Sequence, residues 1–506
     1  SSAPFFLIHF ESARVFALYR WDEPSEQNQT HRTRERTWKM TVSTSSSEGM
    51  STFSTRAERY AAGKALRAKA PRTSHGEWAS ASDRPDPIGL LEESNRTRVP
   101  ELVPIRYGRM SLSPFAFLRG SAIVMASDLA KTPISGIKVQ ICGDAHLSNF
   151  GFFATPERNL VFDVNDFDET LPGPWEWDLK RLAASIVVAG RQNGYTAQEN
   201  RQSVVNSIQQ YHTLMQQMAS MSALDVWYQH IDMGEIMGLV KRKEQERLQK
   251  QAGKASRSTS LRTFPKMAEV VDGHYRIKDE PPLIVHVENL GDIKKTEEYE
   301  SEWIKNYFAA YLETLPDNRR VLLNKYHFVD IARKVVGVGS VGTSTWVLLL
   351  MAGGDGDDPL FLQIKEADAS VLEPYFGNSA YANHGERVVQ GQRLMQEASD
   401  IFLGWTHGDD ADLYVRQLRD MKLSEDITTM TKNEFDQYVS WCAMALARAH
   451  ARCGDPAQIS GYLGNSVLFE QAIALFAEAY ADQTERDYAA LLAAIKEGRI
   501  KAEVDV

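Results

Sequence analysis

Two neighbouring stretches decide how this chain folds and what it does: CGDAHLSNFG at 142–151 and FDVNDFDE at 162–169. They place six polar side chains within 25 residues: Asp144, His146, Asn149, Asp163, Asp166 and Asp168. An apolar run at 137–144 leads into the first stretch, and another at 159–166 leads into the second. Short apolar runs bounded by turn residues are typical of buried strands. We therefore expect the two runs to pair as a hairpin that presents carboxylates to one point, as a divalent-metal or phosphate site requires.

The composition predicts a soluble, cytoplasmic protein. At 506 residues, with 43% hydrophobic and 25% charged residues, the chain is long enough for two or three domains or lobes. A net charge of −10 argues against nucleic acid or an anionic membrane as partner. Three cysteines give no disulfide framework, and no apolar run is long enough to span a membrane. We expect residues 1–49 to be a disordered extension, because 22–55 is rich in Ser, Thr, Arg and Glu.

The first group of candidate functional residues lies in the two opening stretches. Asp144 on a loop can accept a proton from an attacking hydroxyl. Asn149 and Asp163 offer hard oxygen ligands to Mg²⁺ or Mn²⁺, which needs few protein ligands when a nucleotide supplies the rest. Asp166 is a third candidate metal ligand. The spacing D-x₄-N is weak alone, and acidic residues that cap turns are the alternative.

A second group lies in the glycine-rich segment GVGSVGT and the strand that follows it. Its candidate nucleotide contacts are Gly337, Gly339, Gly342 and Thr343. The glycines lie between strand-like segments at 332–353 and 359–367, which disfavours a dinucleotide-binding strand–helix turn. A glycine loop over phosphates with Lys365 on a following strand fits the protein-kinase arrangement better. We expect Glu386 or Glu397, on the next helix, to pair with Lys365.

Four further residues are candidates for substrate or phosphate contacts: Arg109, Arg119, His146 and Asp168. The two arginines lie among aromatic and small residues. A guanidinium group suits planar oxyanions. The alternative is that these arginines pair with carboxylates inside the core.

The motifs resemble a known class of enzymes. Aminoglycoside and choline kinase-like phosphotransferases carry a series of three motifs: H-G-D-x-x-x-x-N, I-D-x-x-D and G-D-P-x-x-D-L-A. In this chain, the similar segments are CGDAHLSNFG, LVFDVNDFDE and GPWEWDLKRL, in the same order. The resemblance implies that Asp144 is the catalytic base, Asn149 a metal ligand and Asp163 the main Mg²⁺ aspartate. It also implies that Asp178 is a buried brace of the catalytic loop. Cys142 stands where that motif has histidine.

The amino-acid sequence resembles even more closely a bacterial family known as domain of unknown function 2252. The resemblance covers roughly residues 55–500. The segments that carry it are RYGRMSLSPFAFLRGSA, GDAHLSNFG, GERVVQGQRLMQ, DIFLGW, YVRQLRDMK and ARAHARCGD. This resemblance implies no activity, since the family has none assigned.

The order of the parts is unusual, because the glycine loop follows the catalytic loop by about 190 residues instead of preceding it. We therefore predict an α+β, bilobal, protein-kinase-like fold that is circularly permuted. Residues 50–328 form a helical catalytic lobe, 329–420 a smaller antiparallel β-rich nucleotide lobe, and 421–506 helices that return to the first lobe. Permutation leaves lobe packing unchanged where the termini lie close together.

The predicted function is transfer of phosphate from ATP, with Mg²⁺ or Mn²⁺, to a hydroxyl of an unidentified small molecule or protein. Three alternatives stay open. One is a pseudokinase that binds nucleotide as a regulatory module. Another is a kinase-fold nucleotidyltransferase. A metal-dependent hydrolase that uses His146 with the neighbouring aspartates is the third.

Overall fold

The computed structural model describes residues 54–239, 242–256, 259–290, 306–335, 337–353, 358–408, 411–418, 421–423 and 425–504. The described residues from Thr55 onward form one compact unit. The extension predicted at 1–49 lies outside the described residues. The described part mixes helices and sheets, so the α+β class is confirmed.

Helices make up most of the described chain. They are α1 Arg56–Ala65, α2 Pro87–Glu93, α3 Val103–Met110, α4 Pro114–Gly120, α5 Ala122–Leu129, α6 Trp175–Gln192, α7 Ala197–Ser220, α8 Ala223–Tyr228, α9 Met233–Leu239, α10 Arg242–Ala255, α11 Ser260–Met267, α12 over 306–313, α13 Asp317–Leu323, α14 Glu373–Phe376, α15 His384–Met395, α16 Lys432–Cys453, α17 Pro456–Leu463 and α18 Leu468–Lys496. None of these described helices combines the length and the apolar character needed to cross a bilayer.

Twelve strands in the described chain form one large sheet and three two-stranded ones. They are β1 Lys138–Ile141, β2 Phe150–Ala154, β3 Leu160–Val164, β4 Leu171–Pro174, β5 Ala268–Val271, β6 His274–Ile277, β7 Ile284–His286, β8 His327–Lys334, β9 Thr345–Met351, β10 Pro359–Ala367, β11 Gly404–His407 and β12 Asp412–Gln417. The large sheet is antiparallel, in the order β11-β12-β10-β9-β8-β7. The pairs β1–β4, β2–β3 and β5–β6 stand apart from it.

The large sheet carries the glycine-rich segment as the turn between β8 and β9. Gly337 and Gly342 in this turn have φ values of +67° and +91°, a region that glycine enters without strain. Lys365, near the end of β10, lies opposite Thr345 of β9 and Tyr414 of β12. The lysine is therefore on a central strand, beside the glycine turn.

The strand pairing predicted around the opening stretches is wrong. The run at 137–144 contains β1, which pairs with β4, whereas the run at 159–166 contains β3, which pairs with β2. The chain re-enters a strand directly after Asn149, so β3 meets β2 across the short connection 155–159. A short connection costs less closure entropy than a long one, which favours this nearer partner.

The largest apolar core surrounds helix α6, whose residues are almost all buried. Helices α7, α16 and α18 pack against it. Trp175 at its first turn stacks on Tyr211 of α7, with ring centroids 5.7 Å apart. Because α6 is fixed on several sides, polar side chains that leave it toward the loop after β1 are held rigidly.

Candidate functional site

A polar cleft forms where the loop after β1 and the residues after β3 meet the glycine turn and the end of β10. Helix α4 closes one side of it. The sequence candidates that line this cleft are Arg119, Asp144, Asn149, Asp166, Asp168, Gly339 and Thr343. The two groups of candidates, far apart in the sequence, thus share one cleft.

Asp144 is held in place by a buried arginine of α6. Arg181 Nε donates to Asp144 Oδ1 at 2.7 Å, and Nη2 of the same guanidinium donates to the carbonyl of Leu118 at 2.6 Å. Burial raises the pKa of Asp144 to about 6, with Arg181 opposing the rise and Asp166 adding to it. A carboxylate with this pKa is suited to accept a proton near neutral pH.

His146 lies behind Asp144 and does not line the cleft. Its Nε2 is 3.7 Å from Asp144 Oδ2, and the ring is buried against Phe115. Burial, with help from Arg119 and Arg181, lowers the pKa of His146 well below its usual value. These surroundings therefore favour the neutral form of the imidazole.

Asn149 and Asp166 come from two segments that are joined by a backbone hydrogen bond. The N–H of Asn165 donates to the carbonyl of Asn149 at 2.8 Å. Asn149 Nδ2 donates to the carbonyl of Asp144 at 2.7 Å, which leaves its Oδ1 for another partner. Asp166 accepts only the N–H of Asp168, at 3.4 Å, and has no ion pair with a described residue. Both side chains thus retain oxygen atoms for a cation.

A cation here would need ligands beyond the acids of this chain. Among the described residues, no group of three or more His, Cys, Asp and Glu side chains is arranged to hold a metal ion. One amide and one carboxylate oxygen fit Mg²⁺ that is also bound by phosphates and water, because Mg²⁺ often takes only one or two protein ligands.

Asp178 braces the loop that carries Asp144. Its carboxylate accepts the backbone N–H groups of Cys142 and Gly143, at 2.9 and 3.0 Å. His450 Nε2 lies 3.2 Å from the same carboxylate, and His450 Nδ1 lies 3.0 Å from the Tyr211 hydroxyl. The brace that the phosphotransferase resemblance implies is thus present, and a histidine of α16 supports it.

Lys365 pairs with Asp168. Its ammonium contacts Asp168 Oδ2, the Tyr414 hydroxyl donates to Oδ1 at 2.7 Å, and the Ser340 hydroxyl of the glycine turn lies 3.3 Å from Oδ2. Burial favours the neutral carboxyl, but Lys365, the Tyr414 hydroxyl and Arg416 together outweigh burial and lower the pKa of Asp168. One acidic side chain therefore links the loop after β3, the lysine strand and the glycine turn.

The expected pairing of Lys365 with Glu386 or Glu397 is wrong. Helix α15 docks through Arg387, whose guanidinium donates to the carbonyls of Asp168 and Thr170 at 2.8 and 2.9 Å. Neighbouring residues point about 100° apart around a helix, so Glu386 points in a different direction from Arg387. Glu386 does not line the cleft.

Asp163 lies outside the cleft. Its carboxylate is fully buried and pairs with Arg448 of α16 at 2.5 Å. The N–H groups of Val164 and Glu397 also donate to it, at 2.9 and 3.1 Å. Since β3 is buried on both faces, this carboxylate is enclosed by the core and does not line the cleft with Asn149 and Asp166.

Helix α3 and the segment that precedes it hold the glycine turn over the cleft. Arg109 Nη1 donates to the carbonyl of Gly337, and Arg98 Nη1 donates to that of Val341, both at 2.6 Å. The N–H of Val99 donates to the carbonyl of Gly342 at 2.8 Å. Arg109 is thus a support of the turn.

Arg181 and Glu169 are among the residues at this site that sequence analysis missed. Arg181 lies three residues after Asp178 on α6, a spacing that puts both side chains on one helix face, toward the same loop. Glu169 ends the quoted stretch FDVNDFDE and also lines the cleft. Burial raises the pKa of Glu169 to about 7.

Comparison with known proteins places the chain by sequence. A family described as an uncharacterized protein conserved in bacteria (DUF2252) matches residues 98–494. Because this match spans most of the chain, the protein belongs to that family. The comparisons with curated proteins and with solved structures give no match.

Proposed function

We propose that this protein is an ATP- and Mg²⁺-dependent phosphotransferase with a circularly permuted, bilobal, kinase-like fold, acting on a hydroxyl substrate. One observation carries the proposal. The loops that hold Asp144, Asn149 and Asp166 line the same cleft as Gly339 and Thr343, which follow about 190 residues later. A base, two cation ligands and a glycine turn in one cleft are the parts that phosphoryl transfer requires.

The architecture of the large sheet supports the nucleotide half of the proposal. A glycine turn joins β8 and β9, a buried lysine lies near the end of β10, and helix α15 follows. Protein kinases have the same succession of glycine loop, strand lysine and helix. Here the succession comes after the catalytic loop, which is the reason for proposing a permutation.

The fit of a metal ion supports the catalytic half. The free oxygens of Asn149 and Asp166 would hold Mg²⁺, which would neutralise charge on the transferred phosphate. The glycine turn and Lys365 would hold the phosphates of the nucleotide. Asp166 takes the role of main metal ligand that the resemblance implied for Asp163, because only Asp166 lines the cleft.

Asp144 would act on the acceptor. The acceptor oxygen attacks the γ-phosphorus, the bond from that phosphorus to the β-phosphate oxygen breaks, and ADP leaves. The acceptor proton passes to Asp144 Oδ2, because Arg181 occupies Oδ1. Arg181 and Asp178 position this carboxylate and its loop without contacting substrate.

The test is nucleotide binding by the full chain, measured as a thermal shift and by calorimetry with ATP, with and without Mg²⁺. We expect Mg²⁺-dependent binding by the wild type and by Asp144→Asn, and weaker binding by Asp166→Asn and Lys365→Met. A wild type that binds no nucleotide with Mg²⁺ or Mn²⁺ contradicts the proposal.

A labelling experiment separates transfer from its alternatives. With ATP labelled at the γ-phosphate, a kinase moves the label to an acceptor or, slowly, to water. With ATP labelled at the α-phosphate, only a nucleotidyltransferase makes a labelled adduct. Binding without either transfer indicates a pseudokinase.

A further inference from the structure

We propose that the acceptor of this protein carries a carboxylate or phosphate group beside its hydroxyl, and that Arg119 binds this anion. The inference rests on the proposed function, because it assigns the acceptor side of the same cleft. It is carried by the contrast between Arg119 and the other arginines that line the cleft.

The backbone on both sides of Arg119 is fixed. Arg181 donates to the carbonyl of Leu118 at 2.6 Å, and Arg106 donates to the carbonyl of Gly120 at 2.8 Å. Two buried guanidinium groups therefore hold the end of α4, one before and one after Arg119. The same Arg181 also binds Asp144, so Arg119 and the proposed base are positioned by one side chain.

The side chain of Arg119 has no partner in the described chain. It makes no hydrogen bond or ion pair with a described residue, and its Nε is buried. By contrast, Arg98 donates to the carbonyls of Ser94 and Val341, and Arg106 donates to Asn95 and Gly120. A largely desolvated cation without hydrogen bonds is costly, so an anionic ligand would stabilise this arrangement.

The position of Arg119 favours the acceptor over the nucleotide. Its charge acts on Asp144 and His146, whereas Lys365 is surrounded by Asp166, Asp168 and Tyr414. Arg119 is therefore the cation beside the proposed base, whereas Lys365 lies near the glycine turn through Asp168 and Ser340. A guanidinium fork binds carboxylate and phosphate with two parallel hydrogen bonds, which gives it a preference for these anions.

The experiment measures binding of small hydroxyl compounds to the full chain saturated with Mg–ADP, by calorimetry. The probes are glycerol 3-phosphate and glycerate, with neutral glycerol and cationic choline for comparison. We expect the wild type to bind an anionic probe at least tenfold more tightly than glycerol or choline. In Arg119→Gln this preference should fall by about ten- to hundredfold, with Mg–ADP affinity unchanged.

Arg119→Lys and Arg96→Gln are the controls. Lysine keeps the positive charge but not the guanidinium fork, so Arg119→Lys should retain part of the preference for anionic probes. It also allows the role of residue 119 to be measured if Arg119→Gln does not fold. Arg96, which is exposed, pairs with Glu93 and does not line the cleft, gives the same change in net charge. Its variant should behave as the wild type.

Three results would overturn the inference. The first is equal anion affinity in the wild type and both Arg119 variants. The second is a preference of the wild type for glycerol or choline. The third is a loss of Mg–ADP affinity in Arg119→Gln as large as the loss of anion affinity, which would assign Arg119 to the nucleotide. If the wild type binds no Mg–ADP, the proposed function fails, and the same anion comparison on the nucleotide-free protein still decides the inference.

Discussion

Asp163 and Asp166 are three residues apart, yet they lie in opposite environments. Asp163 belongs to β3 and is enclosed by the core, where Arg448 neutralises it. Asp166 follows the strand, lines the cleft and has no ion pair with a described residue. An aspartate is therefore part of the core at position 163 and a candidate metal ligand three residues later, at position 166.

The difference shows that the end of the strand decides which carboxylate is available. Within a strand that is buried on both faces, every side chain must be satisfied by the core. Beyond its end, the chain turns toward the glycine turn, and Asp168 already contacts Ser340 and Lys365 there. Stability and activity should therefore respond to different aspartates of one short segment.

The largest expected effect is on stability, at Asp163. Asp163→Asn leaves the fully buried Arg448 guanidinium without its counter-charge, which typically costs about 3–5 kcal/mol in the free energy of unfolding. Chemical denaturation measures it. Asp166→Asn is the matched control, and we expect a change within about 1 kcal/mol, since it removes no ion pair within the described chain. Equal destabilisation by the two variants would contradict the comparison.

The next effect is on transfer, at Asp144. Asp144→Asn removes the proposed base, so the rate of phosphoryl transfer should fall by about 10²- to 10⁴-fold. Mg–ATP affinity should stay within about twofold of the wild type, because Asp144 is assigned no contact with the nucleotide. Single-turnover kinetics with γ-labelled ATP measure the rate. Full activity in this variant would remove Asp144 from the mechanism.

The pH dependence of transfer tests the environment of the same carboxylate. Burial raises the pKa of Asp144 to about 6, and only the deprotonated form accepts a proton. The rate should therefore rise about tenfold per pH unit below pH 6 and level off above it. A profile of kcat against pH measures this. An acid limb near pH 4, the range of an exposed aspartate, would show that the carboxylate is not buried in the working enzyme.

A smaller effect is expected on nucleotide binding, at Asp166. Asp166→Asn keeps the shape of the side chain but removes the charge offered to Mg²⁺, so Mg–ATP affinity should fall by about ten- to hundredfold. Calorimetry at several Mg²⁺ concentrations measures it. Asp163→Asn, studied where it remains folded, should bind Mg–ATP as the wild type does. If only Asp163→Asn lost binding, the roles assigned to these two aspartates would be reversed.

Local sequence patterns were sufficient for much of the fold. The segment 359–367 was expected to be a strand and is β10, and the helix expected after it with Glu386 is α15. Glycines between β-branched residues located the turn between β8 and β9. These features depend on neighbours in the sequence, which is why pattern and propensity identify them.

Partners far away in the sequence were not predictable in the same way. Lys365 and Asp168 are 197 residues apart, and Arg448 and Asp163 are 285 apart. A run of apolar residues that contains one aspartate has the same local pattern in two cases. The aspartate can face a cleft, or it can face an arginine of a distant helix. Local pattern also gave no sign that β3 would pair with β2 and leave β1 to β4.

The smallest expected effect concerns a residue that acts on the cleft through the backbone. Arg109 donates to the carbonyl of Gly337 and does not line the cleft, so Arg109→Gln should loosen the glycine turn without removing any proposed ligand contact. One hydrogen bond contributes about 0.5–1.5 kcal/mol, so Mg–ATP affinity should fall by about two- to tenfold, less than in Asp166→Asn. Calorimetry beside Arg96→Gln measures it. An unchanged affinity would mean that the turn is held by Arg98 and Val99 alone, and a loss as large as that of Asp166→Asn would make Arg109 a direct nucleotide contact.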